Sequence, residues 1–391
     1  MPAWGVPLTD TPVPDPSARR VPSIAELRTL GFEAGLSAVG VTGAEPFADV
    51  RRTIVERRAA GLAGGMQFTY RDPDRSTDPG RILPGARSLV VGARGYLRAG
   101  PDPDPAPTPR GQVARYSWQD EYTPLRRSLG VVAARLRHEG WRATVVCDQN
   151  GLVDKAAAHR AGLGWFGKNT LLMVDGQGSW FVLGSVVTDA PLTATPGEAV
   201  APADHAAGCG PCTRCLTACP TGALVAPGVL DARRCLAWVV QAEGSIPVEL
   251  RAAMGDRIYG CDECQQVCPI NRRAARVRPP GPAGPEDQAT VDLVGLLGST
   301  DEELLAAHGR WYIPGREPRY LRRNALVALG NTGDGGDERT VGALREALAG
   351  ADGMLREHAA WAAHRLGRAD LVGADPVGAD PVGADPVGAV A

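Results

Sequence analysis

Apolar positions fall at helical spacing at Ile24, Leu27, Leu30, Ala34 and Leu36, behind a serine, Ser23, placed to cap the helix. This predicts a packed helix leading into the short apolar strand SAVGVTG. Between Arg87 and Cys147 the pattern alternates: strand-like SLVVGA, the loop PDPDPAPTP, a helical run PLRRSLGVVAARLRHEG, then ATVVCD. Alternation of this kind predicts an α/β arrangement. NTLLMV and SWFVLGSVVT flank the turn DGQG and predict a further strand pair. Beyond Pro269, Arg, Pro and Gly dominate until two similar helical stretches, RRNALVALGN and REHAAWAAHRLGR, which read as HEAT-like repeat units.

A chain of 391 residues exceeds what one hydrophobic core fills, so several domains are expected. The pattern divides it into a Pro-rich disordered arm (1–22), an α/β core (23–200), a cysteine-rich domain (201–275), a helical domain (290–368) and a low-complexity disordered tail (369–391). The formal net charge of −2 excludes a globally basic, polyanion-binding chain and leaves only local patches for nucleic acid. There is no secretory-type apolar core at the N-terminus and no run of about 18 apolar residues, which predicts a cytoplasmic chain that does not enter a membrane. In that compartment thiols stay reduced, so nine cysteines in tight groups point to metal rather than disulfides.

The first group reads Cys209-x-x-Cys212-x-x-Cys215-x-x-x-Cys219-Pro, the run of bacterial two-cluster ferredoxins, in which the fourth cysteine ligates the other cluster. The second, Cys235 and then Cys261-x-x-Cys264-x-x-x-Cys268-Pro, is an opened version with its first cysteine far upstream. Crossing the fourth ligands assigns Cys209, Cys212, Cys215 and Cys268 to one [4Fe–4S] cluster and Cys219, Cys235, Cys261 and Cys264 to the other. A pair of zinc sites is the competing reading. It does not need the third and fourth cysteines at these offsets, nor the proline after each group. Cys147, beside ATVV, reads as a buried small hydrophobe.

The cysteines occupy only a small part of the chain, so the α/β portion is expected to hold a reaction site. Its candidate stretch runs from Asp148, at a strand end, through AGLGWFGKN to Gly178-Ser179-Trp180. A carboxylate beside flexible glycine backbone suits a ligand or acid site. Asp148 as a helix cap or turn residue is the plainer alternative. The glycines match neither GxGxxG nor a P-loop, so no nucleotide is indicated. Lys168 either meets an anionic ligand or sits at the surface.

The runs DKAAAHRAGLGWFGKNTLL, GSWFVLG, CGPCTRCLTACPTGAL, DARRC and RIYGCDECQQVCP, with RILPGARSLVV and ARYSWQDEY upstream, closely resemble the epoxyqueuosine reductase family. The resemblance spans residues 23–368. It implies a cobalamin-dependent iron–sulfur enzyme that reduces epoxyqueuosine at the tRNA wobble position to queuosine, with a catalytic core shared with reductive dehalogenases. The implied fold is an α/β (α+β) cobalamin-binding core, a ferredoxin-like two-cluster iron–sulfur domain and a C-terminal α-helical HEAT-like repeat domain.

By position in the family motifs, Asp148 takes the place of the proton donor and also a cobalamin contact. Leu172, Leu183, Asp262 and Ala114 match further cobalamin contacts, and Arg75 an upstream arginine contact. The absence of a DxHxxG motif agrees with a corrinoid that has no protein histidine below the cobalt. Implied partners are tRNA carrying epoxyqueuosine, contacted through Arg316, Arg319, Arg322 and Arg323 if these do not merely cover a helix face, and a reductant protein such as a ferredoxin or flavodoxin. A monomer is expected.

Two segments depart from the family: Asp148-Gln149-Asn150-Gly151 stands where DTGP or DTGE is usual, and Glu121-Tyr122-Thr123 where DYH is usual. These keep open a corrinoid reductase acting on a small molecule. A two-cluster electron-transfer protein is the reading from another class.

Overall fold

The computed structural model describes residues 19–100, 108–174, 176–195, 208–284 and 286–373. Residues 1–18 of the Pro-rich arm, most of the Pro-rich loop and residues 374–391 of the tail lie outside these. The described residues fall into two compact units, one within Met1–Asp104, Val113–Ala242 and Tyr259–Ala289, the other within Pro105–Gln112, Glu243–Ile258 and Thr290–Ala391. The α/β segment and all nine cysteines are in the first unit.

That unit is built on a four-stranded sheet in the order β1-β2-β7-β4, with β1 at Ala38–Gly43, β2 at Ser88–Gly95, β4 at Ala143–Cys147 and β7 at Phe181–Thr188. Every pairing is antiparallel, which is the α+β form of the expected core. Strand residues alternate between two apolar layers. Val90 and Val186 face helices α1 (Ile24–Glu33) and α3 (Tyr122–His138), while Leu89, Val91 and Val187 face α4 (Asp154–Arg160) and its flanks. With both faces covered, the strands read as continuous apolar runs rather than alternating ones. Helix α2 is Ala48–Ala59.

Ser23 caps α1 reciprocally: its hydroxyl accepts from the Glu26 N–H (3.2 Å) and the Glu26 carboxylate accepts from the Ser23 N–H (3.1 Å). Helix α3 buries Leu125, Leu129, Val132 and Leu136 at helical spacing, a stripe in which each side chain contributes roughly 1.5–3 kcal/mol.

NTLLMV and SWFVLGSVVT do not pair as expected. Strand β7 is interior, with β2 on one edge and β4 on the other, so no edge is left for β6 (Leu172–Val174). Strand β6 pairs instead with β5 (Gly164–Phe166), inside the Gly-rich run. Beyond the first cysteine group, β8 (Leu224–Ala226) and β9 (Val229–Leu230) form a small hairpin.

The second unit holds a three-stranded sheet, β10 (Arg257–Tyr259), β3 (Arg110–Val113) and β11 (Thr290–Asp292), with β3 central. Its helices are α5 (Val248–Met254), α7 (Leu293–Gly298), α8 (Asp301–His308), α9 (Arg319–Thr332), α10 (Glu338–Ala349) and α11 (Gly353–Arg365). Helices α9 and α11 carry the two repeat-like stretches, and α9 packs on α11. The segment between Cys235 and Cys261 thus leaves the first unit, supplies α5 to the second and returns, which is why the second cysteine group is opened up in sequence. Among the described residues no helix is long and apolar enough to cross a membrane.

Candidate cluster and acid site

None of the eight motif cysteines forms a disulfide, and burial with mutual repulsion raises several of them. Burial pushes Cys215 up to about 11, with Cys209 and Cys268 adding to the rise. Cys209 is raised by burial, with Cys268 and Cys212 beside it. In the other arm burial pushes Cys235 up to about 11, and Cys261 and Cys219 add. Cys264 is raised by burial and then by Cys261 and Cys235. Burial works against Cys219 too, but N–H groups of Leu224, Thr221 and Ala223 bring it below the usual thiol value. Sulfurs crowded in this way are relieved by coordination to iron, which takes them as thiolates.

Both arms are braced by one turn of the Gly-rich run. Between β5 and β6, Thr170 is held at φ 65°, a strained value for a β-branched residue. On that turn Lys168 Nζ donates to the carbonyls of Gly210 (2.7 Å) and Cys212 (3.0 Å), and its N–H to Cys209 Sγ (3.5 Å). Asn169 Nδ2 donates to the Cys264 carbonyl (3.3 Å). Lys168 is therefore neither a surface lysine nor poised for an anion; it is buried and structural.

A second brace is a buried polar network. The Ser179 N–H donates to Asn271 Oδ1 (2.8 Å), and Asn271 Nδ2 to Ser179 Oγ (3.0 Å) and the Gln265 carbonyl (2.8 Å). Gln265 Nε2 donates to the Ser179 carbonyl and hydroxyl, each at 3.1 Å. Gly178 has φ +71°, and a Cβ there would lie 2.2 Å from Asn271 Oδ1. Only glycine fits.

Asp148 follows the pair Cys147↔Gly184, so it leaves the sheet abreast of Leu183. Its φ is +51°, left-handed backbone that aspartate tolerates better than most residues. The side chain is open to solvent on one side, yet crowding by protein raises its carboxyl pKa, with Arg126 on α3 opposing. Arg126 also donates to the Cys147 carbonyl (3.1 Å). Asp154, at the start of α4, is raised well above the ordinary carboxylate range by burial and then by Asp148, and its Oδ1 is buried without a hydrogen-bond partner. Burial also raises Tyr122 well above its ordinary value, with Asp148 and then Asp154 adding. Asp148, Asp154 and Tyr122 thus form one acidic group. Glu121, in the EYT departure, does not join it: it is buried and ion-paired to Arg98, with Arg94 at 3.5 Å.

Residues 208–271 match the model of a 4Fe-4S double cluster binding domain. Over 373 residues the chain is 35% identical to epoxyqueuosine reductase of Xanthomonas campestris pv. campestris, covering 89% of this chain and 96% of the relative. The Pseudomonas aeruginosa epoxyqueuosine reductase is also 35% identical, with 92% and 98% covered. This chain belongs to the epoxyqueuosine reductase family. Among solved structures, an epoxyqueuosine reductase in complex with an epoxyqueuosine-modified tRNA-Tyr stem loop superposes with a TM-score of 0.77 at 31% identity, covering 88% of this chain and 90% of that one. The Bacillus subtilis epoxyqueuosine reductase, described with its catalytic aspartate loop swung out of the active site, gives 0.76 at 31% identity and the same coverage.

Within this reductase fold the residues matched to family contacts separate into groups. Leu172 and Leu183 share one apolar layer, at 2% and 9% exposure, and Asp148 emerges beside the latter. Ala114 and Asp262 also come together: the Arg115 N–H donates to Asp262 Oδ2 (2.7 Å) and the Ala114 N–H to the Tyr259 carbonyl (2.8 Å). Arg75 stands apart, exposed on the short helix Pro73–Ser76. A cavity of about 340 Å³ lined by Arg58, Gly64, Met66, Gln67, Tyr70 and Arg71 opens on the loop that Trp238 Nε1 (to the Gly64 carbonyl, 2.6 Å) holds against the Cys235 arm. Cys147 is 0% exposed, a core residue as read from the sequence.

The arginines expected to meet tRNA are largely committed within the second unit. Arg323 is fully buried and donates to the Gly244 carbonyl, Arg319 pairs with Asp352 (2.9 Å) and Arg322 donates to the Ser299 carbonyl (2.7 Å). Of these, Arg323 ties α9 to the Glu243–Ile258 segment, and Asn324 Nδ2 to the Ile258 carbonyl (3.1 Å) and Asn331 Nδ2 to the Arg251 carbonyl (2.8 Å) do the same work.

Proposed function

We propose that this chain reduces epoxyqueuosine in tRNA to queuosine, with two [4Fe–4S] clusters as electron relay, cobalamin as reaction centre and Asp148 as proton donor. The observation that carries the reading is the coincidence, in one compact unit, of eight motif cysteines with a carboxyl of raised pKa at a strand end, in a chain aligned with nearly the whole of its reductase relatives. The reaction fixes the stoichiometry. An epoxide that loses its oxygen as water takes up two electrons and two protons, so the site must deliver electrons singly and protons from an acid.

Cobalamin, when bound, supplies a cobalt centre that accepts single electrons and acts on the substrate carbon–oxygen bond. The residues that would hold it are Leu172, Leu183 and Ala114, apolar and almost fully buried, with Asp262 and Asp148 as the polar groups beside them. His159, between Asp148 and Leu172 in sequence, is committed through Nδ1 to the Gly164 carbonyl (2.8 Å) and packs against Phe166. The role of Asp148 is to hold a proton until the departing oxygen needs it. Its raised pKa favours the protonated form, and a substrate closing over its open side would favour it further. A flavin or iron–sulfur reductant protein supplies the electrons.

The test is anaerobic incubation of the cobalamin-loaded, reduced protein with an epoxyqueuosine-bearing tRNA stem loop, followed by nucleoside analysis. Queuosine should accumulate over many turnovers. If the protein carries about eight irons and cobalamin yet leaves epoxyqueuosine intact, the reading of a corrinoid reductase acting on a small molecule takes over; about eight irons with no cobalamin taken up favours the electron carrier.

A further inference from the structure

We propose that exposed arginines beside the first cluster, Arg214, Arg272, Arg273 and Arg276, form the docking surface for an acidic one-electron carrier protein. The inference rests on the relay reading above and specifies where its electrons enter.

The two arms differ in exposure. In the loop carrying Cys209, Cys212 and Cys215, the residues Gly208, Gly210, Pro211, Thr213 and Arg214 are exposed. Around the other arm, Leu236, Asp262 and Gln265 beside Cys235, Cys261 and Cys264 are buried, and the exposed neighbours are Arg233, Arg234 and Pro220 next to Cys219; in the first arm Cys268 alone is buried. The other arm is also the one tied to the strand ends, through Asn169 on the Cys264 carbonyl and Asp262 on the Arg115 N–H. Electrons therefore enter at the exposed loop and leave from the arm tied to the strand ends.

Charge is placed to match. Arg214 lies between two ligands of the exposed arm, on a helical turn packed against Glu263–Gln266. Helix α6 (Pro269–Val277) is capped by a third ligand, Cys268. It buries Asn271 and Ala274 and turns Arg272, Arg273 and Arg276 outward on the opposite face. From Gly208 to Leu230 and from Cys264 to Arg278 the chain contains no Asp or Glu, and none of these four arginines is ion-paired among the described residues. The result is a local positive patch on a chain of net charge −2, with Val277, 74% exposed, as an apolar point beside it.

Such a patch fits the small, electrostatically steered interfaces of electron-transfer partners. It fits RNA less well. Single strands and loops are held by stacking on aromatic rings, and the stretches 208–217 and 268–278 contain none.

Stopped-flow bleaching of the clusters, with anaerobically purified, fully loaded protein and reduced flavodoxin or reduced plant-type ferredoxin as probe, tests the assignment. Wild type should be reduced quickly at low salt, with a rate that falls steeply as salt rises. Arg273→Glu/Arg276→Glu should slow reduction by the carrier about tenfold or more, while iron content, reduction by dithionite and tRNA stem-loop affinity stay as in wild type. An unchanged carrier rate overturns the proposal. So does a variant that keeps its carrier rate but loses stem-loop binding, which would make the patch an RNA surface. Failure of the relay reading is separately visible, as wild type without about eight irons.

Discussion

At the scale of single residues, the acidic group of Asp148, Asp154 and Tyr122 makes two different demands. A general acid works in its protonated form, so a raised pKa at Asp148 extends activity upward in pH, and kcat/KM should fall as pH rises through that raised value. A profile that is already falling below pH 5, as an ordinary aspartate of pKa about 3.9 would give, would remove Asp148 from the role. Asp154 acts on stability instead. Its carboxyl holds a proton more tightly in the folded than in the unfolded chain, so its cost is absent below the unfolded pKa and grows as pH rises towards the folded one. Asp154→Asn should therefore raise Tm at neutral pH, with the gain vanishing in acid; differential scanning calorimetry at two pH values checks it. Asp148 stood out in the sequence as a carboxylate closing an apolar run, with its acid role implied only by the family resemblance, and Tyr122 as part of the EYT departure. Asp154 did not stand out, because nothing in its spacing reveals that a strand end, a helix start and the first turn of α3 meet.

At the scale of elements, pairing and bracing decide the site. The run SWFVLGSVVT is unmistakably a strand, yet its partners depend on which edges are free, a property of the whole sheet that local pattern does not contain. The same holds for Lys168 and Asn169. As a letter in a Gly-rich run Lys168 either met an anion or sat at the surface, and Asn169 carried no signal; in place they hold both cysteine arms on one strained turn. The cysteine spacing, by contrast, marked the double-cluster domain of residues 208–271, because cluster chemistry fixes ligand offsets locally. The Ser179–Gln265–Asn271 network gives the sharpest structural test of this level. Gly178→Ala combines an unfavourable φ with a clash against Asn271 Oδ1, and should destabilise the first unit by at least about 1–3 kcal/mol. Urea unfolding followed by near-UV dichroism would register it, together with faster loss of iron. A variant as stable as wild type would mean that the network can shift at no cost.

At the scale of the whole molecule, one chain excursion joins the cluster segment to the helical unit. Residues 243–258 lie between cluster cysteines, yet they fold with α9 and α11 around buried charge: Arg251 with Glu357, His358 Nε2 accepting from the Ile246 N–H (3.1 Å), and Arg323 on the Gly244 carbonyl. Sequence pattern marked the repeat helices but not this insert, since the polar residues that hold it look like an ordinary basic helix face. The arrangement has a pH signature. Burial holds His358 and His308 down near 4, well below the ordinary histidine value of about 6.5. Each is kept neutral in the fold, so this stability is present above about pH 6.5 and is lost as pH falls towards 4. Far-UV dichroism against pH should therefore show the helical unit weakening over that interval, and His308→Gln should narrow the loss.

The central claim joins these scales: a family reductase whose clusters load through crossed cysteines and whose proton comes from Asp148. Its most direct test is single-turnover conversion of an epoxyqueuosine-bearing stem loop by Asp148→Asn beside wild type, both reduced and both assayed for iron and cobalamin. Equal cofactor content with conversion slowed about 10²-fold or more is the expected result. Equal content with undiminished conversion would contradict the account and move the proton donor elsewhere.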